Sequence, residues 1–192
     1  MDAKKPRIKG LVFDMHGVLV FSFPTSKYQE EVNRYFPEET FKALKKEFGT
    51  GSMVFSVKGM KKEYVQLLDS LPVRCRKEGA IIKLLVEIHK KVPLYLATDT
   101  SRKSCVKSLR AAGYPLSLFD KILTIEDVDK PKPDLEIFRR LGVGHDFLVF
   151  GDQQTDVIPA IKLGAKGIIV KSRKELIQNL QQILQQLTST KS

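Results

Sequence analysis

Short runs of apolar residues alternate along the chain with longer segments in which apolar residues recur every three or four positions. The runs, which predict buried strands, cover residues 11–13, 92–97, 122–125, 147–150 and 167–170. From residue 79 onward, segments with helical spacing cover residues 81–88, 105–112, 135–141, 157–161 and 176–187. Strands that are apolar throughout and alternate with helices are typical of a parallel sheet covered on both faces. The pattern therefore predicts an α/β fold built on a parallel sheet.

Residues 25–70 have a different pattern, because helical spacing dominates there. Apolar positions at this spacing fall within residues 28–36, 41–48 and 64–68. A short stretch at residues 53–57 is ambiguous between strand and helix. We predict a small helical insertion after the first strand.

Length and charge narrow the classes of protein that remain. The 192 residues suffice for one core with a small accessory module, but not for two full domains. The net charge is +11, yet the basic residues are scattered and form no run of five or six. This distribution favours a solvated, lysine-rich surface, with a general attraction for anionic substrates as a second interpretation. Without a binding motif or interleaved aromatic residues, we expect no nucleic-acid partner.

Two further features bear on the compartment. Cys75 and Cys105 form no CxxC pattern, which favours a reducing cytoplasm. The apolar stretch at 11–23 is interrupted by Asp14 and His16, is too short to span a bilayer, and lacks a small-residue cleavage site. We expect a soluble cytoplasmic protein without membrane association.

Polar residues follow four of the predicted strands. Asp14 follows the first strand and Thr98 follows the second. Lys130 lies in DKPKPD beyond the third strand, and GDQQTD after the fourth contains Asp152 and Asp156. Because parallel sheets bind ligands at the carboxyl ends of their strands, we expect these side chains to meet at one edge.

These residue types suit phosphoryl transfer. Asp14 and Asp152 offer the oxygen ligands that Mg²⁺ prefers. Thr98 can donate to a phosphate oxygen, and Lys130 can add positive charge where negative charge develops. A carboxylate can attack phosphorus covalently, and Asp156 can orient Lys130 or a metal-bound water. Each feature alone has a structural explanation, such as a helix cap, but four in this order are hard to reach by chance.

The motifs resemble those of the haloacid dehalogenase-like hydrolase superfamily. LVFDMHGVL resembles the first motif, with Asp14 as nucleophile, and LYLATD resembles the second, with Thr98 and Asp99 at the phosphate. KPKPD resembles the third motif, led by Lys130, with Lys132 as the alternative.

FGDQQTD resembles the fourth motif, with Asp152 on Mg²⁺ and Asp156 supporting it. The resemblance implies a Rossmann-like, three-layer core over residues 1–20 and 78–192, with a helical cap at 21–77. It also implies an aspartyl-phosphate intermediate that water hydrolyses. Mg²⁺ would be held by Asp14, Asp152 and the backbone carbonyl of His16.

His16 departs from the resemblance, because phosphatases of the superfamily usually carry a second Asp there as general acid and base. Metal binding needs only the carbonyl of His16 and should survive. A histidine beside Mg²⁺ is disfavoured in its protonated form, so we expect a fair base and a poor acid. The chain should therefore prefer leaving groups that need little protonation, such as acyl or aryl phosphates.

Other functions remain open at this point. The main alternative is a non-catalytic protein that binds a phosphorylated ligand or regulates a partner. GDQQTD argues against a metal-free dehalogenase, while His16 argues against a phosphonatase and a mutase. The predicted partner is a small phosphorylated substrate, whose identity depends on the cap. The polar candidates there, which the sequence does not rank, are Ser22, Thr25, Lys27 and Arg34. The oligomeric state cannot be read from the sequence.

Overall fold

A five-stranded parallel sheet forms the centre of the structure, a computed structural model that describes residues 8–189. Its strands are β1 (Gly10–Phe13), β2 (Leu94–Ala97), β3 (Lys121–Leu123), β4 (Phe147–Gly151) and β5 (Lys166–Ile169). They pair in the order β3-β2-β1-β4-β5, and every pairing is parallel. The predicted α/β fold with a parallel sheet is confirmed. Strands β2 and β3 lie on one side of β1, whereas β4 and β5 lie on the other, so the direction in which strands are added reverses beside β1. Parallel sheets bind ligands at such a topological switch point.

Helices cover both faces of the sheet. Within the described residues they are α1 (Thr25–Val32), α2 (Glu38–Phe48), α3 (Gly51–Val57), α4 (Lys61–Ser70), α5 (Gly79–His89), α6 (Arg102–Ala112), α7 (Glu136–Arg140), α8 (Gln154–Lys162) and α9 (Arg173–Ser189). Leu11 and Phe13 pack with α5, α6 and α9, whereas Val12 packs with α7 and α8. All three residues are fully buried, as expected when successive side chains of a covered strand point to opposite faces. Residues 8–189 contain no helix both long and apolar enough to cross a bilayer.

The structure assigns the ambiguous stretch at 53–57 to a helix, and it ends one predicted strand early. Residues 53–57 lie in α3, whose first turn is capped by the Thr50 hydroxyl, the acceptor for the N–H of Met53 at 3.1 Å. The strand predicted at 122–125 ends at Leu123. Thr124 instead donates from its N–H and its hydroxyl to Asp127, both at 2.8 Å, and so begins a 3₁₀ turn. Local capping by polar side chains decided both cases.

Helices α1 to α4 lie within the predicted insertion at 21–77, which we call the helical segment. They share an apolar cluster separate from those on the sheet, in which Phe55 contacts the rings of Phe36 and Tyr64 at centroid distances of 5.1 Å. Ile125, from the turn after β3, is fully buried in the same cluster. The helical segment is therefore packed against the carboxyl side of the sheet.

Candidate active site

The carboxyl ends of β1, β2 and β4 converge on a cavity of about 560 Å³. Asp14, Thr98 and Asp152, which directly follow these strands, all line it. The N–H of Asp14 donates to the carbonyl of Phe150 at 2.8 Å, and the N–H of Thr98 donates to the carbonyl of Leu123 at 3.0 Å. Strand pairing thus extends to the residues that bear the functional groups, and it brings the three predicted residues together.

Three carboxylates meet in this cavity. Asp14, Asp152 and Asp156 each place one oxygen within 4.8 Å of the others. The approach of Asp152 depends on Gly17, where φ is +80° and a Cβ atom would lie 2.5 Å from Asp152 Oδ2. Asp156 similarly depends on Gly151, where a Cβ atom would lie 2.2 Å from the Cβ of Asp156. Glycine at both positions therefore leaves the space in which the carboxylates gather.

The lysine in the site is Lys132, not Lys130. The Nζ of Lys132 lies 2.6 Å from Asp14 Oδ1 and 2.6 Å from Asp156 Oδ1, and it donates to the carbonyl of Ala97 at 3.3 Å. Only 4% of the Lys132 side chain is exposed. The placement of Lys130 in the site was a wrong prediction, and the alternative, Lys132, occupies that place.

The backbone of the loop explains which lysine enters. The N–H groups of Asp129 and Lys130 donate to the Glu136 carboxylate at 2.9 and 3.0 Å, while the Lys130 side chain is exposed. Two residues later, the N–H of Lys132 donates to Asp99 at 3.1 Å, and this bond turns the loop toward the cavity. No periodic pattern in KPKPD distinguishes the two lysines, so the choice depends on these contacts.

One ammonium group faces several carboxylates, and their pKa values reflect it. Burial raises the pKa of Asp14 to about 7, although the Lys132 charge acts to lower it. Burial and the Asp156 charge raise the pKa of Asp152 to about 6. Burial acts to raise the pKa of Asp156, but Lys132 outweighs it and the pKa falls below its usual value. Lys132 therefore does not offset the effect of burial on Asp14 and Asp152, whose pKa values stay above their usual range.

A divalent cation fits this arrangement. The carboxylates of Asp14, Asp152 and Asp156 are hard oxygen donors, which Mg²⁺ and Ca²⁺ prefer. A second positive centre would also favour the ionised forms of Asp14 and Asp152, whose pKa values are raised first by burial and further by neighbouring carboxylates. Asp14 and Asp152 are the ligands best placed for it, since both oxygens of Asp156 already accept hydrogen bonds, from Lys132 and from the N–H of Gln153, whereas Asp14 uses only Oδ1 for Lys132.

Asp99 lines the cavity, but its carboxylate is held by protein groups. Its Oδ1 accepts from the N–H of Lys132 at 3.1 Å, and its Oδ2 accepts from the hydroxyl of Ser52 at 2.6 Å. Burial raises its pKa, against the opposing charge of Lys132. The phosphate contact predicted for Asp99 remains a prediction, and the side chain is engaged elsewhere in this structure.

His16 lies in the turn after β1 and lines the cavity beside Asp14. Burial lowers its pKa to about 4, against a hydrogen bond with the backbone of Ser22, so the ring is neutral near pH 7. The ring packs edge-on against Phe23 at a centroid distance of 4.9 Å. Its Nδ1 is buried and has no hydrogen-bond partner among residues 8–189. The His16 ring therefore lies in the cavity wall as a neutral and largely buried side chain.

Residues of the helical segment complete the cavity wall. Of the polar candidates in the sequence, Ser22 and Thr25 line it, whereas Lys27 and Arg34 pair with Glu31. Five further polar residues of the helical segment line the cavity and were not predicted from the sequence, and they are Tyr28, Lys45, Thr50, Ser52 and Tyr64. A Thr directly before a helix is a sequence signal for an N-cap, and Thr50 offers that signal. No local pattern, however, shows that residues 49–52 reach the sheet.

Comparison with known proteins supports the family resemblance. A family model described as haloacid dehalogenase-like hydrolase matches residues 19–170. The matched region includes Thr98, Lys132, Asp152 and Asp156 but begins after Asp14. No curated protein matches the chain.

Several solved structures share the fold. A hydrolase of the haloacid dehalogenase (HAD) superfamily from Ehrlichia chaffeensis is 17% identical to this chain. The match covers 97% of this chain and 100% of that chain, with a TM-score of 0.61. A HAD-hydrolase from Bacillus subtilis, bound to magnesium, is 18% identical over 91% and 99%, with a TM-score of 0.61. CbbY from Rhodobacter sphaeroides, in complex with phosphate, is 19% identical over 84% and 85%, with a TM-score of 0.57. At these identities the likeness concerns the fold alone.

Proposed function

The chain belongs to the haloacid dehalogenase-like hydrolase family, and we propose that it is a magnesium-dependent phosphohydrolase of small phosphorylated metabolites. One observation carries the proposal. The Lys132 ammonium lies 2.6 Å from both Asp14 and Asp156, in a cavity that Asp152 and Thr98 also line. A carboxylate that can attack phosphorus, a cation and a hydroxyl donor at one point are suited to transfer of a phosphoryl group to the protein.

Magnesium is proposed on two grounds. The three carboxylates supply oxygen ligands in excess of what Lys132 neutralises. The relative from Bacillus subtilis binds magnesium, and the relative from Rhodobacter sphaeroides binds phosphate. Asp14, Asp152 and the backbone carbonyl of His16 would hold the ion. When bound, it would screen the repulsion between the attacking carboxylate and the phosphate.

In the first step, a carboxylate oxygen of Asp14 attacks phosphorus while the bond from phosphorus to the leaving-group oxygen breaks. Lys132 offsets negative charge on the transferring group, and the Thr98 hydroxyl donates to a phosphate oxygen. Asp156 keeps the ammonium beside Asp14 through its 2.6 Å contact. Asp14 then carries the phosphoryl group as a mixed anhydride.

In the second step, water attacks phosphorus, inorganic phosphate leaves, and the Asp14 carboxylate is restored. Neutral His16 is the proposed acceptor of the proton from water, after its ring turns to expose a nitrogen that is now buried. The neutral ring supplies no proton to the leaving group in the first step. We therefore propose that acyl and aryl phosphates, whose leaving groups need little protonation, are the preferred substrates.

The helical segment is proposed to act as a cap over the site, with the boundaries 21–77. Its residues line the cavity opposite Asp14, and the cavity of about 560 Å³ falls in the size range of sites for small molecules. The lining contains the rings of Phe21, Phe23 and Tyr28 together with the exposed ammonium of Lys45. This surface would contact the leaving group and so select the substrate.

A second candidate function is binding of a phosphorylated ligand without turnover. The buried Nδ1 of His16 favours it, because a ring held in this orientation does not take a proton from water. Such a protein would keep the cation and phosphate sites and release no product.

Phosphate release from p-nitrophenyl phosphate distinguishes the two candidates. The enzyme proposal predicts turnover that requires Mg²⁺ and disappears in Asp14→Asn. The binding proposal predicts that phosphate binds, by calorimetry with Mg²⁺ present, while neither the wild type nor Asp14→Asn releases product from any aryl or acyl phosphate.

A further inference from the structure

A chain of polar contacts joins the helical segment to the lysine of the site. The Ser52 hydroxyl donates to Asp99 Oδ2 at 2.6 Å, and Asp99 Oδ1 accepts from the backbone N–H of Lys132 at 3.1 Å. The Thr50 hydroxyl donates to the backbone carbonyl of Lys132 at 3.1 Å and lies 2.8 Å from the Ser52 hydroxyl. Both backbone polar groups of Lys132 are thereby held by side chains distant in sequence.

These contacts are the ones that orient the side chain of Lys132. The residue lies in a loop between a 3₁₀ turn and α7, where no helix or strand fixes its backbone. Its ammonium must nevertheless reach Asp14 and Asp156 together, at 2.6 Å from each. The backbone N–H and carbonyl of this loop residue are held by Asp99 and Thr50, which adds to the contacts of the ammonium itself.

The hydrogen bonds of the Asp99 carboxylate are those expected of a residue that positions Lys132, while its predicted contact with phosphate remains a prediction. Both of its oxygens accept hydrogen bonds from the protein. Its contact with Ser52 comes from α3 of the helical segment, while its own backbone continues from β2 of the sheet.

We propose that Asp99 is a positioning residue that couples the seating of the helical segment to the placement of the Lys132 ammonium. When the start of α3, with Thr50 and Ser52, is seated, the backbone of Lys132 is held and its ammonium lies between Asp14 and Asp156. When the start of α3 withdraws, Lys132 loses the hydrogen bond from Thr50, and Asp99 loses the one from Ser52. The full catalytic arrangement therefore forms only with the segment in place. This inference rests on the proposed function for its kinetic consequence, but not for the contacts themselves.

Amide hydrogen exchange tests the contacts without any substrate. In Asp99→Ala the amide of Lys132 loses its acceptor and should exchange at least about tenfold faster than in the wild type. In Asp99→Asn the side-chain oxygen still accepts from Lys132 while the amide group meets Ser52, so exchange should stay near the wild-type rate. Equal exchange of the Lys132 amide in the wild type and folded Asp99→Ala would overturn the proposal, whether or not the protein is a phosphatase.

A double-mutant cycle tests the consequence for turnover. With p-nitrophenyl phosphate, Asp99→Ala should lower kcat by about ten- to a hundredfold, the effect of a small displacement of a catalytic group, and Asp99→Asn should restore most of it. In a Lys132→Ala background, Asp99→Ala should cost less than about twofold more, because the group it positions is gone. The proposal would be overturned if the losses of kcat in Asp99→Ala and Lys132→Ala multiply in the double variant, or if KM falls in Asp99→Asn. Either result would show that Asp99 acts on phosphate directly. If the wild type shows no turnover at all, the proposed function fails while the exchange result still decides the positioning role.

Discussion

Asp14 and Lys132 lie 2.6 Å apart, yet the chain delivers them in different ways. Asp14 is the residue after β1, and its N–H continues the pairing with β4 at 2.8 Å. Lys132 lies in a loop, and its backbone is held by Asp99 and Thr50 instead of by a neighbouring strand. The strand end is fixed by the core of the sheet, while the loop is fixed by polar contacts with the helical segment. Half of the site is therefore as rigid as the fold, and the other half depends on the seating of that segment.

The largest effect is expected at the loop. Lys132→Ala removes the cation between Asp14 and Asp156 and should lower kcat for p-nitrophenyl phosphate by roughly a hundred- to a thousandfold. Stability should also fall, because two buried carboxylates lose their partner. Lys130→Ala is the matched control, two residues away and exposed, and should stay within about twofold of the wild type. The reverse ranking of the two variants would contradict the placement of Lys132 in the site.

The next largest effect is expected at His16, in the turn after β1. His16 lies two residues beyond Asp14, and burial keeps it neutral with a pKa of about 4. Rates should therefore rise as the leaving group becomes more acidic, and His16→Asp should raise turnover of alkyl phosphates by about a hundredfold. Steady-state rates across phosphates of graded leaving-group pKa measure both effects. Rates that do not depend on the leaving group would contradict the proposed deficit of a proton donor.

A smaller effect is expected where glycine makes room for Asp152. Gly17→Ala places a Cβ atom 2.5 Å from Asp152 Oδ2 and should weaken Mg²⁺ binding about tenfold or more. Gly59→Ala is the matched control, because Gly59 also has a positive φ, +71°, but a Cβ atom there would meet no atom of the described residues within 4 Å. Both variants should lose about 1 kcal/mol of stability from backbone strain. Calorimetric titration with Mg²⁺ separates them, and equal affinities would exclude crowding of Asp152.

The smallest effect is expected at the edge of the contact chain. Thr50→Val removes the donor to the carbonyl of Lys132 and the N-cap of α3, but leaves the Asp99 contact in place. We expect kcat to fall about threefold and stability to fall by about 1 kcal/mol. Thermal unfolding and steady-state kinetics measure the two changes. A loss of kcat as large as that of Lys132→Ala would mean that Thr50, and not Asp99, is the main support of the loop.

The same contrast explains what the sequence could predict. Asp14, Thr98 and Asp152 were placed correctly at one edge because each follows an apolar run, and a parallel sheet fixes where such runs end. The choice between Lys130 and Lys132 could not be made, because it depends on a hydrogen bond that the N–H of Lys132 donates to Asp99, 33 residues earlier in the chain. The helical segment was predicted from the helical spacing of its apolar residues, whereas Thr50 and Ser52, at the start of α3, were not connected with the site. Contacts between distant polar residues leave no periodic signal.

The central claim, that Asp14 accepts the phosphoryl group, is tested most directly by mass spectrometry of enzyme quenched in acid during turnover of an aryl phosphate with Mg²⁺. The tryptic peptide covering residues 10–27 contains Asp14 and His16. We expect a phosphoryl group on Asp14 in the wild type, accumulation of this species in His16→Ala, and none in Asp14→Asn, which should also lack turnover. Turnover that persists in Asp14→Asn, with no phosphoryl group on this peptide in any variant, would contradict the claim.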